Sequence, residues 1–163
     1  MYKRQELALW LSGFFRDKSV SLSINAINAV PKSPNIPDQV IQDLKRACLD
    51  PDERIRVHAA AKLAELEMLS DEGFAILSKY PVTRTIVTSL GESNDPRVIG
   101  LLIDVAKYGR DAKTNGAAVC ALDKLFDLEP ARITEALISV LEKKDKPSIL
   151  LRKSTLDILR RRD

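Results

Sequence analysis

Apolar residues recur along this chain at helical spacing, in short segments parted by proline, glycine and aspartate, which predicts an all-α chain of about ten helices. In residues 2–16, Leu7, Trp10, Leu11 and Phe14 share one stripe, widened by Phe15, with Lys3, Arg4 and Glu6 outside it. A first helix docking its aromatic face on its neighbours follows from that stripe; an interfacial membrane helix or a dimer contact is the alternative. Ser19 or Ser21 caps a second helix running to Val30, with Leu22, Ile24, Ile27 and Val30 apolar. Pro31, Pro34 and Pro37 then stop helix propagation, because each lacks an amide donor. Their segment reads as an inter-repeat loop, or as the boundary between N-terminal capping helices (1–36) and the repeat body (37–163) of a single domain.

The third helix runs from about Asp38 to Leu49, turning Val40, Ile41, Leu44, Ala47 and Cys48 inward. Asp50-Pro51 breaks it, and Asp52 caps a fourth helix whose stripe is Ile55, Ala59, Leu63 and Leu66. A shorter pair covers Ser70–Tyr80, with Phe74 and Leu77 one turn apart, and Val82–Leu90, with Ile86, Val87 and Leu90; Gly91 stops it. Asp95-Pro96 starts a seventh helix carrying Val98, Ile99, Leu101, Leu102, Val105 and Ala106 to Gly109. Asp111 caps an eighth with Ala117, Ala118, Val119, Leu122, Leu125 and Phe126 apolar, and a ninth follows Pro130 with Ile133, Leu137, Ile138 and Leu141. Pro147 and Ser148 open a tenth with Ile149, Leu151, Thr155, Ile158 and Leu159.

Three of these helices echo one another. Ile55-Arg56-Val57-His58-Ala59-Ala60-Ala61-Lys62-Leu63 matches Leu151-Arg152-Lys153-Ser154-Thr155-Leu156-Asp157-Ile158-Leu159 in its apolar-Arg start, small or β-branched centre and closing Leu. Thr114 to Leu122 aligns with both but lacks the apolar-Arg start. The second copy of the pattern begins 59 residues after the first, and the third 37 after the second. Self-similarity near ~40 residues, with two helices per unit, marks a helical solenoid. Small residues at Ala59, Ala60 and Ala118 let a paired helix approach closely, and an early arginine such as Arg56 is expected to cross-link neighbouring loops by reaching aspartates or exposed helix-end carbonyls.

The run from Asp50 to Leu66, D-P-D-x-x-I-R-x-x-A-A-x-x-L, resembles the HEAT repeat signature, of the short bacterial type seen also in phycobilin-lyase-like proteins. Weaker matches cover 95–126 and 130–160. The resemblance implies an α–α superhelix of about five antiparallel helix pairs, with a helix row offered to a partner. It fixes fold more firmly than function.

Composition narrows the field. At 163 residues with 30% charged and 45% hydrophobic side chains, the chain is sized for one cored domain, not for disorder. Its net charge of +3 is uneven: residues 1–106 carry 13 Lys/Arg against 14 Asp/Glu, and residues 107–163 carry 13 against 9. That excess is below what dedicated nucleic-acid binders show. Cys48 and Cys120 read as small buried hydrophobes in a reducing compartment. No apolar run is long enough to cross a bilayer. The segment Leu7 to Leu11 behind Lys3-Arg4 has a signal-peptide look, but Glu6 interrupts it and Arg16, Asp17 and Lys18 follow, so a cytoplasmic location is expected.

No catalytic triad, carboxylate pair, phosphate-binding glycine loop or metal-ligand spacing occurs, so no enzyme, cofactor or metal is expected. His58 has no acidic or Cys partner at useful spacing, and Asp50 and Asp52 are explained by turn and cap. Asn115-Gly116 inside a helix is unusual, since glycine costs ~1 kcal/mol there; it marks close packing or a binding groove. The leading expectation is a non-enzymatic protein-interaction adaptor, with Arg56, Lys107, Arg110, Lys113, Asn115, Arg152 and Lys153 as candidate partner-binding residues. The alternative is a nucleic-acid-associated module, because some HEAT-like DNA glycosylases bind duplex through a basic face. It would use Lys107, Arg110, Lys113, Lys143, Lys144, Lys146, Arg152, Lys153 and Arg160 to Arg162, with Asp111, Asp145 and Asp157 interleaved against it. Resemblance to the phycobilin-lyase-like group also allows a role as a lyase-subunit-like partner of a chromophore protein.

Overall fold

A computed structural model describes residues 2–80, 82–109, 111–142 and 149–162, apart from the side chains of Tyr2 and Leu150. Ten α-helices and no strand occur among the described residues: α1 Tyr2–Ser12, α2 Val20–Ala29, α3 Asp38–Ala47, α4 Glu53–Glu65, α5 Asp71–Lys79, α6 Arg84–Leu90, α7 Arg97–Tyr108, α8 Ala112–Lys124, α9 Pro130–Leu141 and α10 Ile149–Arg162. Side-chain caps start five of them. The Ser19, Asp52, Ser70 and Asp111 side chains accept backbone amides of the first turns of α2, α4, α5 and α8. Asp95 Oδ1 accepts the Arg97 amide at the start of α7 in the same way. The chain divides into two compact units, Met1–Pro81 and Val82–Asp163.

The first unit is built around α4, against which α2, α3 and α5 all pack, while α1 packs on α2 and α3. That arrangement needs a helix buried around most of its girth, and α4 supplies one: Ile55, Val57, Ala59, Ala60, Ala61, Leu63 and Ala64 are all buried. Four alanines keep its diameter small enough for three neighbours to approach. The proline segment 31–37 joins α2 to α3, which both pack on α4. At its C-terminus α4 ends in a Schellman turn, with the Met68 amide on the Leu63 carbonyl at 2.8 Å and Glu67 in the left-handed region at φ 62°.

The second unit is built around α8. Helices α6, α7 and α10 pack on it, α9 packs on α7 and α10, and α6 also touches α7. Gly91, just past α6, brings that segment close to α8: a Cβ there would stand 2.7 Å from the Ala121 Cβ. Between α7 and α8, the Asn115 Nδ2 donates to the Gly109 carbonyl at 3.1 Å, and its Oδ1 fills the space a side chain at 109 would need.

Five sequence expectations about facing are corrected, one of them at Ile149, which is 86% exposed in the first turn of α10 although the sequence set it on that helix's apolar stripe. On α1 the buried stripe is Ala8, Leu11 and Phe15, while Leu7 and Trp10 are 45% and 64% exposed. The two stripes share Leu11, and the helix stops at Ser12, where i to i−3 bonds tighten the chain at Phe14 and Phe15 and rotate Phe15 inward. Leu22 is exposed on α2, whose core face is Ser23, Ala26 and Ile27. Ile138 is exposed on α9 because Ala136 and Val140 share the core face with Ile133 and Leu137. Cys120 is exposed while its neighbours Val119 and Ala121 are buried, so only Cys48 is a buried thiol. The expected start of α10 at Pro147 and Ser148 lies outside the described residues.

Candidate functional site

The chemistry-bearing residues of α4 are spent on holding its unit together. The Arg56 guanidinium donates to the carbonyls of Asp50 and Pro51 at 2.7 and 2.8 Å, and to the Tyr80 hydroxyl at 2.7 Å. It also lies over the Tyr80 ring. Arg56 thus ties the α3–α4 turn to the end of α5. His58 Nδ1 lies 3.0 Å from the Asn28 Oδ1 on α2; that pairing requires the Nδ1–H tautomer, and burial lowers the imidazole's pKa. Lys62 is the least expected member. Only 3% exposed, it donates to the Val30 carbonyl at the end of α2 and to Glu65 at 3.1 and 2.9 Å. A cation at a helix C-terminus meets the negative end of the dipole, so Lys62 closes α2 onto α4.

A different picture holds on α8. Lys113, Gly116, Ala117, Cys120, Ala121 and Lys124 fall on one helical face and form the floor of a groove of about 460 Å³. Arg84, Thr88 and Gly91 line it from α6, and Ser154 lines it from α10. Gly116 is not a close-packing glycine, since a Cβ there would meet nothing within 4 Å. The open side of α8 is therefore a strip of small residues with a lysine at each end. All three charged residues lining the groove are cationic. Lys124 pairs with Glu92 outside the lining, and Lys113 helps the Thr114 and backbone hydrogen bonds hold the Asp111 carboxyl below its usual range. An adjoining groove between α8 and α10 shares Cys120 and Ser154 and adds Asp123, Asp157, Arg160 and Arg161.

Within the second unit, the described sequence-derived candidates lie on different faces. Lys113 lines the α8 groove, and its neighbour Asn115 is bound to Gly109 in the α7–α8 turn. Lys107 is half-buried in the last turn of α7, and Arg110 lies outside the described residues, as do Lys143, Lys144, Asp145 and Lys146. Arg152 and Lys153 are exposed on another face of α10, beside Ile149, Leu156 and Arg160. Arg161 and Arg162 both pair with Asp123; Arg162 also reaches Asp127 and lies over the Phe126 ring. Those two arginines fasten α10 to the end of α8 and do not form a free basic surface. Arg84 was missed because packing of α6 on α8 brings it to Lys113 across more than 25 residues of sequence, whereas Cys120 and Lys124 share a face of α8 with Lys113 by helical spacing alone and that face was not followed in the sequence.

Electrostatic perturbation elsewhere is structural. Side-chain hydrogen bonds from Arg54 bring Asp52 from 3.8 down to about 2, and Arg97 lowers Asp95 in the same way. Burial pushes the Cys48 thiol up to about 11. Among the described residues no cluster of three His, Cys, Asp or Glu side chains is placed to hold a metal, and no helix is long and apolar enough to cross a membrane. Comparison of the chain with protein-family models and with curated proteins finds no match in either.

Proposed function

We propose that this protein is a non-enzymatic interaction scaffold of HEAT-like helix pairs, cytoplasmic, and that it captures another protein on the α8 groove. One observation carries the reading: the open face of the central helix of the second unit is a strip of small residues crossed by neighbouring helices and bordered by cations. A helix whose exposed face served only solvation would carry long polar side chains at Gly116, Ala117 and Cys120, and would avoid the ~1 kcal/mol cost of glycine. The packing pattern supports the superhelical part of the proposal. Alternate helices pack on one another, α1 on α3 and α2 on α4 in the first unit, and α6 on α8, α8 on α10 and α7 on α9 in the second. Stacked hairpins produce that order, because each pair buries its faces against the next.

The nucleic-acid reading is weaker on two counts. Arg161 and Arg162 are neutralised by Asp123 and Asp127, and no aromatic ring lines the groove on which a base would stack. The test is comparative capture from the native cell, using the wild-type chain and Gly116→Trp. Its Cβ meets nothing within 4 Å, so the added ring projects into the groove from a position with room for a side chain. The proposal expects a partner retained by the wild type and lost from a variant of unchanged melting temperature. Equal recovery refutes the assignment of the groove, and no partner with either chain refutes the scaffold reading.

A further inference from the structure

Resting on the scaffold reading above, we propose that the α8 groove takes an acidic α-helix of a partner protein, laid along the strip between Lys113 and Lys124. Those lysines are eleven residues apart on one helix face, a separation of about 16 Å at 1.5 Å per residue. A partner helix of three turns has the same length. Carboxylates near its two ends therefore meet both lysines at once, with Arg84 of α6 reaching the flank. The floor between the charges is Gly116, Ala117 and Cys120, and a Cβ added at Gly116 would meet nothing within 4 Å. Small residues in that position let a second helix settle close to the α8 backbone, as in helix-in-groove recognition. An extended segment has less to gain, because no strand edge occurs among the described residues to accept its backbone hydrogen bonds. The sign of the partner follows from charge complementarity: every charged residue of the lining is basic, and the glutamate that meets Lys124 comes from outside it.

Cys120 makes the proposal directly measurable. It is the exposed cysteine and lies on the groove floor, while Cys48 is buried and its thiol is pushed up to about 11. N-Ethylmaleimide near neutral pH therefore labels Cys120 first, with Cys48 as internal reference, in the unmodified full-length chain. Four probes compete: a fifteen-residue Glu/Ala/Leu helical peptide, its Gln/Ala/Leu and Lys/Ala/Leu counterparts, and a fifteen-base-pair DNA duplex. The expected result at low salt is at least a fivefold slowing of Cys120 alkylation by the acidic peptide alone. High salt should abolish the slowing, and so should the double substitution Arg84→Glu and Lys113→Glu in a chain of unchanged helicity. Equal protection by the Gln peptide, stronger protection by the duplex, or no protection by the acidic peptide overturns the acidic-helix assignment. The two readings fail separately: a captured partner that is lost with Gly116→Trp but retained by the charge-reversed chain removes the acidic class and leaves the groove as the binding face, whereas no captured partner with any chain removes the scaffold reading.

Discussion

Two glycines that line the same groove should respond to the same substitution with opposite signs. Gly116 sits inside α8 with open space where its Cβ would be. Gly116→Ala adds a methyl group that touches nothing, and restricts the unfolded chain, so the helix gains about 1 kcal/mol. For a chain of this size unfolding cooperatively, that raises Tm by roughly 2–4 °C. Gly91→Ala places its methyl 2.7 Å from the Ala121 Cβ and 3.0 Å from the Ala121 Cα. The Cα belongs to the α8 backbone and the Cβ is fixed rigidly to it, so neither can swing aside and α6 and α8 must separate at a cost of about 1–3 kcal/mol. Urea unfolding followed by far-ultraviolet circular dichroism gives both numbers, provided the slope against denaturant stays constant. A destabilising Gly116→Ala would refute the open strip on α8. A neutral Gly91→Ala would refute the close approach of α6 to that helix, and with it the shape of the groove.

Three further outcomes follow from the first unit. Lys62→Met leaves the Val30 carbonyl buried and unbonded and Glu65 without its cation, so urea unfolding should show a loss of about 1–3 kcal/mol although the new side chain is apolar. Glu67→Gly relieves a left-handed backbone at φ 62° and should raise stability by about 1 kcal/mol in the same assay. Asp52 has its folded pKa lowered from 3.8 to about 2, so its contribution is present above the ordinary carboxylate range and is lost as pH falls through that window. Wild-type Tm should therefore fall more steeply between pH 4 and pH 2 than that of Asp52→Asn, which keeps a capping side chain but has no charge for Arg54.

The parts of the fold that depend on local chemistry were legible in the residues. Asp52 and Asp111 announced the starts of α4 and α8, and the alanines of α4 announced a helix crowded on several sides. Facing was harder wherever two overlapping stripes were both apolar. On α1, Leu7-Trp10-Phe14 and Ala8-Leu11-Phe15 differ by one residue of rotation, and the turn after Ser12 decided between them. Lys62 shows a different limit. Spacing puts it on the buried side of α4, but nothing local reveals that the end of α2 supplies a carbonyl for its ammonium group. The groove had a single local sign, a glycine where a helix gains nothing from one. Its walls come from α6 and α10, and only packing brings Arg84 and Ser154 to Gly116.

The most direct test of the central claim is hydrogen–deuterium exchange of the full chain, alone and with the partner recovered by capture. The account predicts slowed exchange in residues 84–91 and 112–124, with the remaining helices little changed. Protection confined to residues 2–80, or to the outer face of α10, would contradict it.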